Sequence, residues 1–381
     1  MTKRLLCILV ATGALLAGTA LGQTPTISDA TRAASGPLTA EQAAEVEAFI
    51  TFCTERMTNP ASDAGVIRSC RVAMVSAYGG TLGEGYMSHF ARTTERVFVP
   101  ATLKRDQSPV VQVNGAIVVA QVARPEQMGL LEQMLTTHPS AAVRYQALKG
   151  FDRVAATAVA RGSDAAGRVL DTLEAYARRT ADPARPSDPA MIRELLRALD
   201  LSEVEADSLN PAALNAARAR AMGIIRDLLG AHLQAIRDGR PAMADAFGFG
   251  VQALAAMGRE LGEEQRKALL GTIANVAANA GEAFKELSLI DSGGTTRLEP
   301  APGAVIMLLV YCERAIGTLS GSSEGSVWRR LPPKDAQEAQ QALAALNNLV
   351  GSTGGDGDLQ RLGVPRPTLL PRSPEAITRG R

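Results

Sequence analysis

Residues 263–287, EEQRKALLGTIANVAANAGEAFKEL, decide the fold class. Leu269, Ile273, Val276, Ala280, Phe284 and Leu287 recur at the spacing of three and four that lines one face of an α-helix. Glu263 and Glu264 open the stretch, where acids meet the positive end of a helix dipole. The same period returns on either side. Leu214, Ala217, Ala221, Ile224, Leu228 and Ala235 mark one helix between 213 and 236, with Arg218, Arg220, Arg226, Asp227 and Arg237 largely off its apolar side. Ala336, Ala339, Leu343, Leu346 and Val350 mark another between 334 and 350.

Upstream, Thr39 with Gln42 forms a capping box, and the helix behind it runs to about Met57 with Ala43, Val46, Phe49, Ile50 and Cys53 on one face. Polar-Pro pairs punctuate the chain: Asn59-Pro60, Ser108-Pro109, Asp188-Pro189 and Asn210-Pro211. The polar side chain can cap free amides, and proline fits the first helical turn, so each pair predicts a helix start. Strand signals are few. Arg96 to Pro100 reads as a short extended segment, and Val305 to Tyr311 continues helically to Leu319 as a core helix. The fold class expected is all-α, an irregular helical repeat or multi-helix bundle.

The first twenty-two residues read as a secretory signal peptide: Lys3 and Arg4, an apolar run from Leu5 to Leu16, and a small-residue site at Ala20-Leu21-Gly22. The expected protein is therefore exported, periplasmic or secreted, beginning near Gln23, with no membrane span after cleavage. Loss of Lys3 and Arg4 takes the formal net charge from +1 to −1, with acids and bases interspersed. No basic stripe favours nucleic acid. At 4% aromatic residues, with Trp328 the sole tryptophan, the chain is also poor in the rings that stack on sugars. The organisation expected is a flexible lead-in at 23–37, helical regions at 38–180 and 188–350, and a disordered Gly- and Pro-rich tail at 351–381. Loops at 180–187 and 291–303 read as boundaries.

Cys7 falls in the signal, leaving Cys53, Cys70 and Cys312. Cys53 and Cys70 flank the turn near Asn59-Pro60 at matching heights on two helices, so a disulfide between them is geometrically feasible in an exported chain. Cys312 reads as a small core residue.

The stretch His138-Pro139-Ser140-Ala141-Ala142-Val143-Arg144-Tyr145-Gln146-Ala147 resembles the second helix of a HEAT-like repeat, with Val154 at a family aliphatic position. Phe151 stands where the family has Leu. A second partial copy reads Asp188-Pro189-Ala190-Met191-Ile192-Arg193, with Leu196 in the Ala slot. The resemblance covers residues 108–154 and 188–199. It implies helix pairs stacked into a superhelix whose concave face binds other proteins.

Motifs for chemistry lack their context. Gly321-Ser322-Ser323-Glu324-Gly325 fits G-x-S-x-G, but His89, His138 and His232 all precede it and no strand leads in. Gly248-Phe249-Gly250-Val251-Gln252-Ala253 fits a loose dinucleotide fingerprint inside a helical pattern, so close helix packing explains its glycines better. The scattered histidines and Asp356-Gly357-Asp358 have no metal-site spacing. Glu282 and Glu286, with Lys285, read as a solvated face. No catalytic, cofactor-binding or metal residue is assigned and no cofactor is expected. The leading expectation is an exported, non-enzymatic helical scaffold or protein-binding protein of the cell envelope, its partner another envelope or secreted protein. Two rivals stand beside it: an exported all-α hydrolase or lyase with a site built from distant carboxylates, and a helical binder of a small apolar ligand.

Overall fold

The structure, a computed structural model, describes residues 25–160, 164–182, 188–205, 211–292, 295–321, 326–352 and 355–379. The expected signal peptide, Asn210, and residues 322–325 of the G-x-S-x-G match lie outside them. The protein is an all-α, multi-helix bundle protein, and it divides into two compact units, one ending at Val122 and the other beginning at Ala123.

The first unit contains α1 (Asp29–Arg32), α2 (Ala40–Thr58), α3 (Ala64–Ala77), α4 (Glu84–Thr93), a π-helical turn (Thr94–Phe98), α5 (Val99–Thr102) and α6 (Pro109–Val122). The Thr39–Gln42 capping box opens α2. Val46, Phe49, Ile50, Cys53 and Met57 of that helix pack with Cys70, Met74, Tyr86, Phe90 and Phe98 into one apolar core. Two expectations fail here. Arg96 to Pro100 is helical, because α4 continues through the π turn into α5 and buries Phe98 inside the core. The lead-in is packed from residue 25: Ser28 caps α1, and the Glu45 carboxylate accepts hydrogen bonds from the Ser28 and Thr31 hydroxyls. Its backbone lies so close to α4 that a Cβ on Gly85 would come within 1.7 Å of the Gly36 carbonyl oxygen. A polar anchor and a glycine approach order this segment, and neither has a periodic signature.

Of the polar-Pro pairs, Ser108 and Asp188 do cap the helices that follow them, accepting from the Val111 and Ala190 amides. Asn59-Pro60 instead ends α2 and turns, and Asp63 caps α3. A proline after the last helical residue stops a helix as readily as it starts one.

The second unit begins with a helical hairpin, α7 (Met128–Thr137) and α8 (Ala141–Ala160), followed by α9 (Asp164–Thr180), α10 (Pro189–Ala198), α11 (Pro211–Ala231), α12 (Leu233–Arg237) and α13 (Pro241–Met257). Next come α14 (Glu263–Ser288), an antiparallel hairpin of β1 (Leu289–Ser292) and β2 (Thr295–Leu298), and α15 (Gly303–Ser320). The chain closes with α16 (Ala336–Val350), α17 (Asp358–Arg361) and α18 (Pro374–Arg379). Val143, Ala147, Phe151 and Val154 of α8 are all buried.

The stretch expected as one helix over 213–236 breaks at His232, separating α11 from α12. The 180–187 loop is no domain boundary: α9 and α10 on either side of it belong to the same unit. Part of the 291–303 loop is the β-hairpin, in which Leu289 pairs with Leu298.

At the centre, α15 packs against α13 and α14 and buries Leu308, Cys312 and Ile316. It is long and apolar enough to cross a membrane by length and composition, yet 56% of it is buried inside the unit. It also carries Glu313, buried and bonded to the Val327 and Trp328 amides. The glycines of the G-x-G-x-x-A match serve close packing, since a Cβ on Gly248 would lie 2.9 Å from the Tyr311 ring and one on Gly250 3.0 Å from Leu196.

The largest departure is the tail. Leu359 and Val364 are buried, and the segment after them runs extended to α18 rather than forming a disordered end.

Candidate peptide-docking groove

The extended segment, residues 364–373, lies along α12 and α14 as a strap. Before Arg372 its side chains make little of the polar grip. Pro365, Arg366, Thr368, Leu369 and Pro371 are exposed. The backbone is gripped instead. Asn275 and Asn279, one turn apart on α14, point at the same strap residue: the Asn275 Oδ1 accepts from the Thr368 amide at 2.7 Å, and the Asn279 Nδ2 donates to the Thr368 carbonyl at 2.8 Å. The Asn279 Oδ1 then accepts from the Leu370 amide at 3.0 Å. A primary amide matches a peptide group donor for acceptor, so this pair reads main chain whatever the side chains are.

The second half of the grip comes from α12. The Arg237 Nε donates to the Leu370 carbonyl at 2.8 Å, and the Gln234 amide donates to that of Pro371 at 2.9 Å. Asp238, at the end of α12, takes both the amide and the hydroxyl of Ser373, at 2.9 and 2.8 Å. Glu286 of α14 fixes Arg237 through a two-pronged ion pair and lies 3.8 Å from the Arg372 guanidinium. Asn279 is fully buried and the Asp238 side chain is 2% exposed, so both spend their polarity on the strap and their near neighbours.

The electrostatics agree with the geometry. Hydrogen bonds from Arg237 hold the Glu286 carboxyl below the usual range, while Glu286 raises Arg237. Burial pushes the Asp238 carboxyl up, but the Ser373 amide and hydroxyl, with Gln234 and Arg240, more than offset it and leave it lowered. Both acids are held in the charged form, as ligands for a cation and for N–H and O–H donors.

Residues singled out in the sequence are dispersed elsewhere. Cys53 and Cys70 are neighbouring buried thiols. The neighbouring Cys53 and the Arg56 charge lower the Cys70 thiol, whereas Cys70 and burial push Cys53 up. Cys312 is a buried thiol, as expected. Burial lowers the pKa of His89 and of His232. His138 accepts from the Ser140 amide at the mouth of α8. Asp356 pairs with Arg366 and Asp358 with Arg361. No group of metal-ligating side chains forms among the described residues. Glu282 pairs with Lys285, in keeping with a solvated face, but Glu286 does not belong to it, because Arg237 arrives from α12.

One pair of carboxylates from different helices feels each other's charge. Asp152 is raised by burial and by nearby Glu194, which is itself buried and held by the Tyr145 hydroxyl and Arg197. A surface cleft of about 370 Å³ between α9 and α11 has Ile224 and Leu228 in its wall and Arg220 at its rim, already paired with Asp171 and Glu174 at 2.6 Å. Its rim charges neutralise one another.

Asn275, Asn279, Gln234 and Asp238 escaped the sequence reading. The one available signal is Asn275-x-x-x-Asn279, a polar pair at helical spacing inside an alanine-rich helix. Compared with family models, with curated proteins and with solved structures, the chain matches none.

Proposed function

We propose that this is an exported, non-enzymatic helical scaffold of the cell envelope that binds other proteins by docking an extended segment along α12 and α14. One observation carries the reading: two asparagines, a glutamine, an arginine and an aspartate converge on the backbone of an extended segment already seated there. Recognition through main-chain hydrogen bonds is how proteins commonly take up extended peptides. The signal-like start at Lys3 to Gly22 supports export, and mass spectrometry of mature protein should then find Gln23 or a close neighbour at the N-terminus. The buried Val143, Ala147, Phe151 and Val154 of α8 support the HEAT-like resemblance within its 108–154 stretch.

The docking test uses the full chain with its strap opened by Thr368→Pro and Leu370→Pro, which remove both amides that the asparagines hold. A fluorescein-labelled peptide of the sequence Val364 to Ala376 should bind this chain saturably by fluorescence anisotropy. Asn279→Ala in the same chain should abolish the binding. A peptide that does not bind, or that ignores Asn279, refutes the docking function.

A further inference from the structure

We infer that the strap is the groove's own competitive ligand and that its sequence describes the partner: an extended segment of another protein bearing a proline, then an arginine, then a hydroxyl residue. This rests on the docking function proposed above and adds the ligand class and the regulation of the site.

The groove selects in two ways. At Thr368 and Leu370 it engages the amide and carbonyl, and the exposed Thr368 side chain is free to vary. At the next positions it engages side chains. Glu286 faces the Arg372 guanidinium, and Asp238 accepts from the hydroxyl as well as the amide of Ser373. Pro371 contributes its carbonyl to Gln234. A proline there loses nothing, because that position is asked for no N–H, and its fixed φ keeps the segment extended before it binds. Less conformational freedom is then lost on docking. Two fixed negative charges, Glu286 and Asp238, thus follow a stretch that reads only backbone. A Pro-Arg-Ser or Pro-Arg-Thr segment satisfies every one of these contacts.

The same contacts make the strap replaceable. Its anchors, Leu359 and Val364, lie at its N-terminal end, while Thr368, Leu369 and Pro371 are exposed. Between Pro365 and Ser373 no side chain is fully buried, so this segment belongs to the low-stability end of the molecule. While tethered it competes at a high effective concentration, on the order of millimolar for a short connection. A partner segment therefore gains access by out-competing it or when it is held off.

The experiment titrates two chains, wild type and the Thr368→Pro, Leu370→Pro variant, with the labelled Val364–Ala376 peptide and with a second probe carrying Arg372→Glu and Ser373→Ala. The opened chain should bind the first probe at least about ten-fold more tightly than wild type does, since the internal competitor is gone. It should bind the second probe at least about ten-fold more weakly than the first, through loss of the Glu286 and Asp238 contacts. Equal affinity of the two chains for the first probe overturns the competitor role and leaves docking intact. Equal affinity of the opened chain for both probes overturns the ligand class. If neither probe binds the opened chain, docking itself fails and this inference with it. A readout independent of that variant uses isotope-labelled wild-type chain: excess unlabelled peptide should speed hydrogen exchange at the chain's own Thr368 and Leu370 amides, and no change overturns the competitor role. A wild-type dimer that forms with concentration and that the free peptide dissociates would make a second copy the occupant, and would overturn the assignment to a different protein.

Discussion

The core around α2, α3 and α4 and the strap on α12 and α14 are both ordered, by opposite means. In the first, Phe49, Tyr78 and Tyr86 surround Phe90, with ring centroids 5.5–6.4 Å from it, and the thiols of Cys53 and Cys70 fill the space between helices. Such a core is held by area removed from water, at about 25 cal/mol per Å². In the second, exposed and half-buried side chains ride on a backbone held by asparagine, glutamine, arginine and aspartate. The asparagine and glutamine bonds net only about 1 kcal/mol each against water, and those of the charged arginine and aspartate about 2. A segment held this way can be ordered and still be exchangeable, which a segment buried by its side chains cannot.

The contrast breaks first where the expected effect is largest. Phe90→Ala should destabilise the first unit by about 3–5 kcal/mol, through lost transfer energy and a cavity. Chemical denaturation checks this, and a loss below about 1 kcal/mol would deny that the aromatic cluster carries the unit. Next are the two neighbouring thiols. In oxidised exported protein we expect Cys53 and Cys70 to be bridged and Cys312 to titrate only on unfolding. Reducing that short loop should then cost on the order of 3 kcal/mol at most. Three thiols counted in denaturant would show that no bridge forms.

Arg237→Ala should cost less, about 2 kcal/mol, the scale of hydrogen bonds to a charged group, and its effect should concentrate in the strap. The pH response sharpens the same point. Glu286 has its folded pKa lowered, mainly by Arg237. Its contribution is therefore complete above the ordinary carboxylate value of about 4.3 and is lost as pH falls through the lower folded value. Strap amides should lose protection in that acid window before the α14 backbone does, as hydrogen exchange at stepped pH would show. Simultaneous loss in both would mean that the strap is no separate element.

The same contrast explains what was legible in the sequence. The face of Leu269, Ile273, Val276, Ala280 and Phe284 is buried as its period requires. The Thr39–Gln42 box and the Asp188 cap work through a few adjacent residues, and the glycines at 248 and 250 pack where a helical pattern placed them. All these depend on neighbours along one helix. The lead-in and the tail depend on residues far away: Thr31 on Glu45, Thr368 on Asn275, Ser373 on Asp238. Composition made both ends look structureless, because a segment ordered through its backbone needs no apolar period. Glu286 was misread for the same reason, since Arg237 comes from another helix.

Hydrogen exchange along the strap of the intact wild-type chain, read residue by residue, tests the backbone-reading groove most directly. Thr368, Leu370 and Ser373 donate their amides to Asn275, Asn279 and Asp238, whereas the intervening Leu369 amide meets no such acceptor among the described residues. An alternating pattern is predicted, with 368, 370 and 373 slowed and 369 exchanging close to the rate of a free peptide, and Asn275→Ala should release 368 selectively. Uniform free-peptide rates from 366 to 373 in the wild-type chain would contradict it.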